Sequence, residues 1–343
     1  MNRVLIIGCG SMGSAVLSGC LKAGVWKKEQ ITIKDRDPQN AKNKAESYGV
    51  SWTDTIDQGL QNFDFILLSV KPNIVPSVLE CIGRSNFHGL LVSLAAAVTL
   101  QQLEENVSSD IGVIRVMPNT PVSVGAGMTA VALGSHATEQ MGQDAERVFS
   151  SLGKTAVVTE RQLDELGALS GAGPGYAFVI IDALADGGVR IGLPRALAIE
   201  AAAQTLYGAA KMVLDTGRHP AELRDQVTSP GGTTIAGIHA MEQRGIRAAL
   251  MDGIAACMER SDENGTKKVK DKEKILRYFA ASGEEAGEMA VRLLDLAETA
   301  DKGRPYAVSP FMPPFAVQIA ATAAAHMKTV SMESWEDTMK RNG

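Results

Sequence analysis

Val4-Leu5-Ile6-Ile7-Gly8-Cys9-Gly10-Ser11-Met12-Gly13 is the stretch that decides the fold. Four consecutive apolar residues suit a strand buried on both faces, as in a parallel sheet covered by helices. The glycines behind them follow the spacing Gly-x-Gly-x-x-Gly. In that pattern Gly8 permits a tight turn, Gly10 lets backbone approach a pyrophosphate, and Gly13 allows a helix to pack closely on the strand. The triplet alone is common, but here a strand precedes it and a helical stretch, Ser14 to Ala23, follows. That context predicts a dinucleotide-binding loop, with Gly8, Cys9, Gly10, Ser11, Met12 and Gly13 as cofactor contacts. Cys9, small and inside the loop, reads as structural rather than reactive.

Outward from this loop, the next strand, Gln30 to Lys34, ends at Asp35-Arg36, where the residue that reads the adenosine ribose belongs. Asp35 favours the free 2′-hydroxyl of NAD and Arg36 the 2′-phosphate of NADP; the balance leans toward NADPH and leaves NADH open. Phe63 to Val70 gives a further buried strand, with Ser69-Val70-Lys71-Pro72 at its C-terminal end, the edge where open α/β sheets bind ligands. Lys71 there either faces the cofactor or is an exposed loop lysine. Leu90 to Leu94 and Gly112 to Arg115 add two strands, and the second enters Met117-Pro118-Asn119-Thr120-Pro121. Two prolines stiffen that loop and present Asn119 where a nicotinamide ring and its substrate would meet. Ala130 to Leu133 and Ala156 to Val158 read as closing strands. The expectation for residues 1–160 is an α/β, Rossmann-type doubly wound sheet.

From Gln162 the pattern changes to Ala-rich helical stretches, about Leu163–Val189, Pro194–Thr216, Pro220–Gln226, Thr233–Gln243 and Ile246–Asp262, the first interrupted near Gly171 to Gly175. So small an all-α layer seldom hides its apolar faces alone, which predicts dimerisation through residues 161–263. With 343 residues, 45% hydrophobic and 21% charged, the chain can bury more than one core. A formal net charge of −5 argues against broad nucleic-acid binding. The four cysteines are scattered, with neither Cys-x-x-Cys nor a Cys/His cluster, so neither a disulfide framework nor a metal site is expected. The apolar run Val4 to Ile7 is too short for a secretory h-region, so no membrane association and a cytoplasmic location are expected.

Inside the helical region stands Ser229-Pro230-Gly231-Gly232-Thr233-Thr234. A tight turn leading into a helix offers unpaired N–H groups and hydroxyls, which is either an ordinary helix cap or a cradle for a small carboxylate. Together with Ser69 to Pro72, Val116 to Pro121, Leu169-Ser170-Gly171-Ala172-Gly173-Pro174-Gly175-Tyr176 and the glycine loop, this turn makes residues 1–263 resemble pyrroline-5-carboxylate reductases. The resemblance implies hydride transfer from NAD(P)H to the cyclic imine Δ1-pyrroline-5-carboxylate, giving L-proline. It implies that Ser229, Gly231, Gly232, Thr233 and Thr234 bind the substrate carboxylate and that the Thr234 hydroxyl, the catalytic candidate, lies near the ring nitrogen. It further implies an interlocked homodimer, sometimes a ring of dimers, whose site joins the nucleotide domain of one subunit to helices of the other. Two positions depart from the family pattern: Ala97 stands where a glycine is usual, and Ile56 where an asparagine often meets the NADP phosphate region.

Two other readings compete. β-Hydroxyacid dehydrogenases carry Lys and Asn after a Gly-x-Gly at the start of their helical domain, whereas Gly171 and Gly173 are followed by Ala177 and Ile181. A non-catalytic dinucleotide-binding paralogue would keep the fold without needing Ser229 and Thr234. His219 and His239 read as polar helix residues rather than general acids. Residues 264–343 begin with a charged run and continue at helical spacing over Ile275 to Ala300 and Phe315 to Met327, which predicts a helical C-terminal extension with an unknown partner.

Overall fold

A computed structural model describes residues 3–56 and 59–261, which fall within a compact unit ending at Ser261. The expected extension, 264–343, lies outside the described residues.

The sheet has eight strands: β1 (Val4–Ile7), β2 (Ile31–Lys34), β3 (Ser51–Trp52), β4 (Phe65–Leu68), β5 (Leu90–Ser93), β6 (Gly112–Met117), β7 (Gly127–Leu133) and β8 (Gly153–Val157). Their spatial order is β3-β2-β1-β4-β5-β6-β7-β8, with β1 to β6 parallel and β7 antiparallel to β6. The chain therefore reverses direction across the sheet between β1 and β4, and the crevice at that switch point is where a dinucleotide binds in such a sheet. The apolar quartet explains the double winding. Val4 and Ile6 enter a core with Val16, Leu17 and Cys20 of α1 (Ser11–Lys22), Ala45 of α2 (Pro38–Tyr48) and Phe149. Leu5 and Ile7 enter the opposite core, with Val78, Leu79 and Ile82 of α3 (Val75–Gly83) and with Leu103 of α4 (Leu100–Glu104). Alternate side chains of one strand thus bind helices on both faces, as the period of two dictates. A fifth helix, α5 (Glu139–Ser150), joins β7 to β8 and adds Phe149 to the first core.

The helical region starts at α6 (Glu160–Leu166), passes through a π-helical turn, Gly167–Gly171, and continues as α7 (Gly173–Arg190). The expected start at Leu163 is three residues late. Thr159 caps α6 in a reciprocal capping box with Gln162, a Thr-x-x-Gln signal visible in the sequence. The interruption expected near Gly171 to Gly175 is this π-helical turn. Next come α8 (Arg195–Thr216), α9 (Pro220–Gln226), α10 (Thr233–Gln243) and a helical segment over 246–261. Helices α7 and α8 meet through Ala185, Ala198 and Ala202, and at Gly188 a Cβ would stand 3.0 Å from that of Ala198. Small residues thus bring the two axes close, while α9 and α10 bury no residue. Large apolar side chains remain in solvent here, among them Phe178 (65% exposed), Val179 (70%) and Leu214 (68%). Glu160–Arg190 is also long and apolar enough, by length and composition, to cross a membrane.

Candidate functional site

At the switch point, Gly8 leaves β1 with its N–H donating to the Lys34 carbonyl at 2.7 Å, while Ser69 after β4 donates to Ile7 at 2.8 Å. Gly8 has φ +98°, and a Cβ on it would collide with the Ser69 carbonyl. A Cβ on Gly13 would collide with the Gly8 carbonyl and lie 3.1 Å from Ser69 Oγ. The loop is therefore closed against both strand ends, which only glycine permits. Gly10 is the N-cap of α1 and offers no side-chain cap, so the first-turn N–H groups of Ser11, Met12 and Gly13 open toward the crevice without a side-chain acceptor. That arrangement fits a pyrophosphate.

Asp35 braces the same loop. Its carboxylate accepts from the Cys9 N–H at 2.9 Å and from the Asp37 N–H at 3.2 Å, whereas Arg36 projects into solvent. Cys9 is fully buried, and burial, reinforced by the Asp35 charge, pushes its thiol up to about 12; it stays neutral, as a structural side chain should. One cation that the motif did not mark stands beside the loop: Lys44 of α2 donates to Ser14 Oγ at 2.7 Å, and Ser14 Oγ donates to the Cys9 carbonyl at 2.9 Å. Its distance in sequence from the glycines hides it, since only the fold brings α2 alongside α1. Val70 packs on the second core, whereas Lys71 is exposed and precedes a 3-10 turn, Pro72–Ile74. Ile56, at the position of the missing asparagine, likewise packs on the second core.

The β5 edge contributes a turn in which Ala97 has φ +57°, the one positive φ on a non-glycine among the described residues. An L-residue there is strained by about 1 kcal/mol. Ala97 is exposed and its neighbour Ala95 is buried, so the turn geometry is imposed by packing on either side. Ala97→Gly is expected to raise the melting temperature by about 1–2 °C, since unfolded-chain entropy offsets much of the strain relief. A thermal melt that is unchanged or lower contradicts the strain argument.

Beyond β6, Asn119 is 9% exposed; its amide NH2 donates to the Ser170 carbonyl at 2.9 Å and its carbonyl accepts from Met128 N–H at 2.9 Å. The loop residue singled out as a cofactor contact thus also ties the sheet edge to the π-helical turn. Ser170 in turn donates its hydroxyl to the Leu166 carbonyl.

Ser229 to Thr234 forms a turn closed by a 3.0 Å bond from Gly232 N–H to the Ser229 carbonyl, with Gly231 at φ +68°. Gly232 is the N-cap of α10, and no side chain caps the helix. Thr233 and Thr234 are exposed, and the first-turn N–H groups of α10 have no side-chain acceptor. His219, by contrast, is a cap, accepting the Ala221 N–H at 3.2 Å on Nδ1. Among the described residues no hydrogen bond or ion pair links 229–234 to the loops at 8–13, 69–72 or 117–121. Ile181, where a hydroxyacid dehydrogenase would carry its asparagine, packs on the apolar α7–α8 contact.

Residues 160–264 match the family described as pyrroline-5-carboxylate reductase dimerisation, and residues 3–97 match the family of NADP oxidoreductases, coenzyme F420-dependent. A pyrroline-5-carboxylate reductase of Arabidopsis thaliana is 42% identical over 262 residues, covering 76% of this chain and 95% of the plant protein. Among solved structures, the pyrroline-5-carboxylate reductase of Coxiella burnetii superposes with a TM-score of 0.72 at 32% identity, covering 76% of this chain and 98% of that one. A Plasmodium falciparum pyrroline carboxylate reductase with NADP bound reaches 0.68 at 30% identity, covering 77% and 98%. The chain covers 95% or more of these relatives at 30–42% identity, with the glycine loop inside the 3–97 match and the Ser229 to Thr234 turn inside the 160–264 match: the chain belongs to the pyrroline-5-carboxylate reductases.

Proposed function

We propose that the protein reduces Δ1-pyrroline-5-carboxylate to L-proline with NADPH as the main donor and NADH as the second. The observation that carries this reading is the uncapped, hydroxyl-rich start of α10. The nicotinamide, when bound, supplies the hydride. Gly8 to Gly13 hold the pyrophosphate with backbone N–H groups, Arg36 and Lys44 add positive charge for the phosphates, and Asp35, Ser69 to Pro72 and Asn119 complete the cofactor side. On the substrate side the N–H groups of Gly232, Thr233 and Thr234 hold the carboxylate, the turn at Gly231 aims them, and the Ser229 hydroxyl joins them. The Thr234 hydroxyl orients the ring nitrogen and passes it a proton drawn from water. An iminium carbon is already electrophilic, so orientation supplies most of what this chain must contribute.

Supporting a shared site, the α10 turn and the nucleotide loops make no bond to each other among the described residues, and the exposed apolar side chains of α7 and α8 suit a helical partner. We assign 1–160 to cofactor binding and 161–263 to substrate binding and dimerisation, with 264–343 dispensable for catalysis. Cytoplasmic location and assembly of dimers into rings complete the reading. Thr234→Ala is expected to lower kcat on the order of a hundredfold with the thermal melt unchanged. Wild-type turnover in that variant sinks the role of the hydroxyl, and a wild-type chain inactive on the imine with either cofactor sinks the function.

A further inference from the structure

Arg115 sits in β6 at 2% exposure, the one charged side chain in the buried set among the described residues. Its guanidinium reaches out of the sheet to α6: one nitrogen donates to Glu160 Oε1 at 2.5 Å and the other to Asp164 Oδ1 at 3.0 Å. The same Glu160 oxygen accepts the Leu100 N–H at 2.6 Å, at the start of α4. The two carboxylates stay partly exposed, at 32% and 38%. A charge withdrawn from water into a sheet is costly even when paired, and an apolar side chain of equal volume often serves stability as well or better. Stability alone therefore explains little of this arrangement.

Its position is more telling. Arg115 in β6 precedes Asn119 by four residues, and the two grip α6 and the π-helical turn that follows: Arg115 at Glu160 and Asp164, Asn119 at Ser170. Between these grips Met117 packs against Gly167 and Gly171. The planar fork of an arginine, bonded to carboxylates one helical turn apart, fixes both the rotation and the tilt of a short helix in a way a single contact cannot.

We propose that Arg115, acting through Glu160 and Asp164, is a positioning residue that sets how the helical region leaves the sheet and thereby aligns the hydride donor with a substrate held by the partner's helices. The inference rests on the proposed function. If the cofactor binds on the sheet and the imine on the helices, altering this joint changes neither affinity but displaces the reacting atoms relative to each other. Displacements of about 1 Å cost up to about a hundredfold in rate.

The test compares the full-length wild type with Asp164→Asn, which loosens one arm, and with the apolar triple variant Arg115→Met/Glu160→Met/Asp164→Leu, which removes the charges together. We expect kcat to fall about tenfold to a hundredfold in the triple variant and less in Asp164→Asn, with the NADPH dissociation constant, the solution mass and the thermal melt close to wild type. The deuterium isotope effect on kcat with 4-deuterated NADPH should rise as hydride transfer becomes slower. Wild-type kcat and isotope effect in both variants overturn the proposal, as does a loss of NADPH affinity that accounts for the whole change. Should the triple variant fail to fold, an unaltered kcat and isotope effect in Asp164→Asn is the overturning result. Wild-type protein inactive on the imine would instead defeat the functional reading.

Discussion

Gly13→Val is expected to abolish NADPH binding at concentrations that saturate the wild type, and to lower the melting temperature by about 2–12 °C. The reason is local and steric. A Cβ at position 13 runs into the carbonyl oxygen of Gly8, a residue held at φ +98° with its N–H bonded to the Lys34 carbonyl. The obstacle is backbone, so no rotamer change relieves it. Helix α1 must lift away from the strand ends, and Val16, Leu17 and Cys20, all fully buried in the first core, lift with it. Overpacking of this kind costs about 1–3 kcal/mol. The same displacement withdraws the first-turn N–H groups from the pyrophosphate position, so affinity falls further than stability. Fluorescence titration with NADPH at 20 °C, where the variant remains folded, separates the two effects; wild-type affinity there defeats the assignment of this loop as the pyrophosphate cradle.

What the sequence made legible follows from how local each signal is. The quartet Val4 to Ile7 and the three glycines act over ten residues, and their strand, turn and helix are all present, although α1 begins at Ser11 rather than Ser14 because Gly10 already serves as its N-cap. β3 leaves no such signal: Ser51 and Trp52 form a two-residue edge strand, exposed on both faces, with no apolar run to announce it. β6 runs on to Met117, beyond the expected end at Arg115, because a buried arginine breaks an apolar pattern without ending the strand. Its partners lie 45 and 49 residues downstream, so nothing in the neighbouring sequence states that the charge is satisfied. Asn119 illustrates the same limit, since its bond to Ser170 spans 51 residues. The Ser229 to Thr234 turn was legible as a turn, but whether its hydroxyls cap the helix or stand free is a matter of side-chain geometry.

The second large effect concerns complementation between chains. On the proposed function, Gly13→Val loses its cofactor cradle and Thr234→Ala the hydroxyl proposed to meet the ring nitrogen, so each homodimer is expected to be nearly inactive. A heterodimer of the two variants, on the shared-site reading, contains one site with both lesions and one with neither: the sheet of the Thr234→Ala chain faces the intact α10 turn of the Gly13→Val chain. Random pairing makes half of the dimers mixed, each with half of its sites intact, so co-expression is expected to restore about one quarter of wild-type activity. A site contained within one chain restores none, because every chain then carries a lesion in its own site. The first outcome is the expected one on that reading: among the described residues the turn at 229–234 is largely exposed and unbonded to the nucleotide loops, and apolar side chains of α7 and α8 face solvent. The measurement is the activity of co-purified, differently tagged chains against each homodimer, with NADPH saturating. Activity no higher than the sum of the homodimers rejects the shared site, and recovery near one quarter requires that hydride donor and substrate come from different chains.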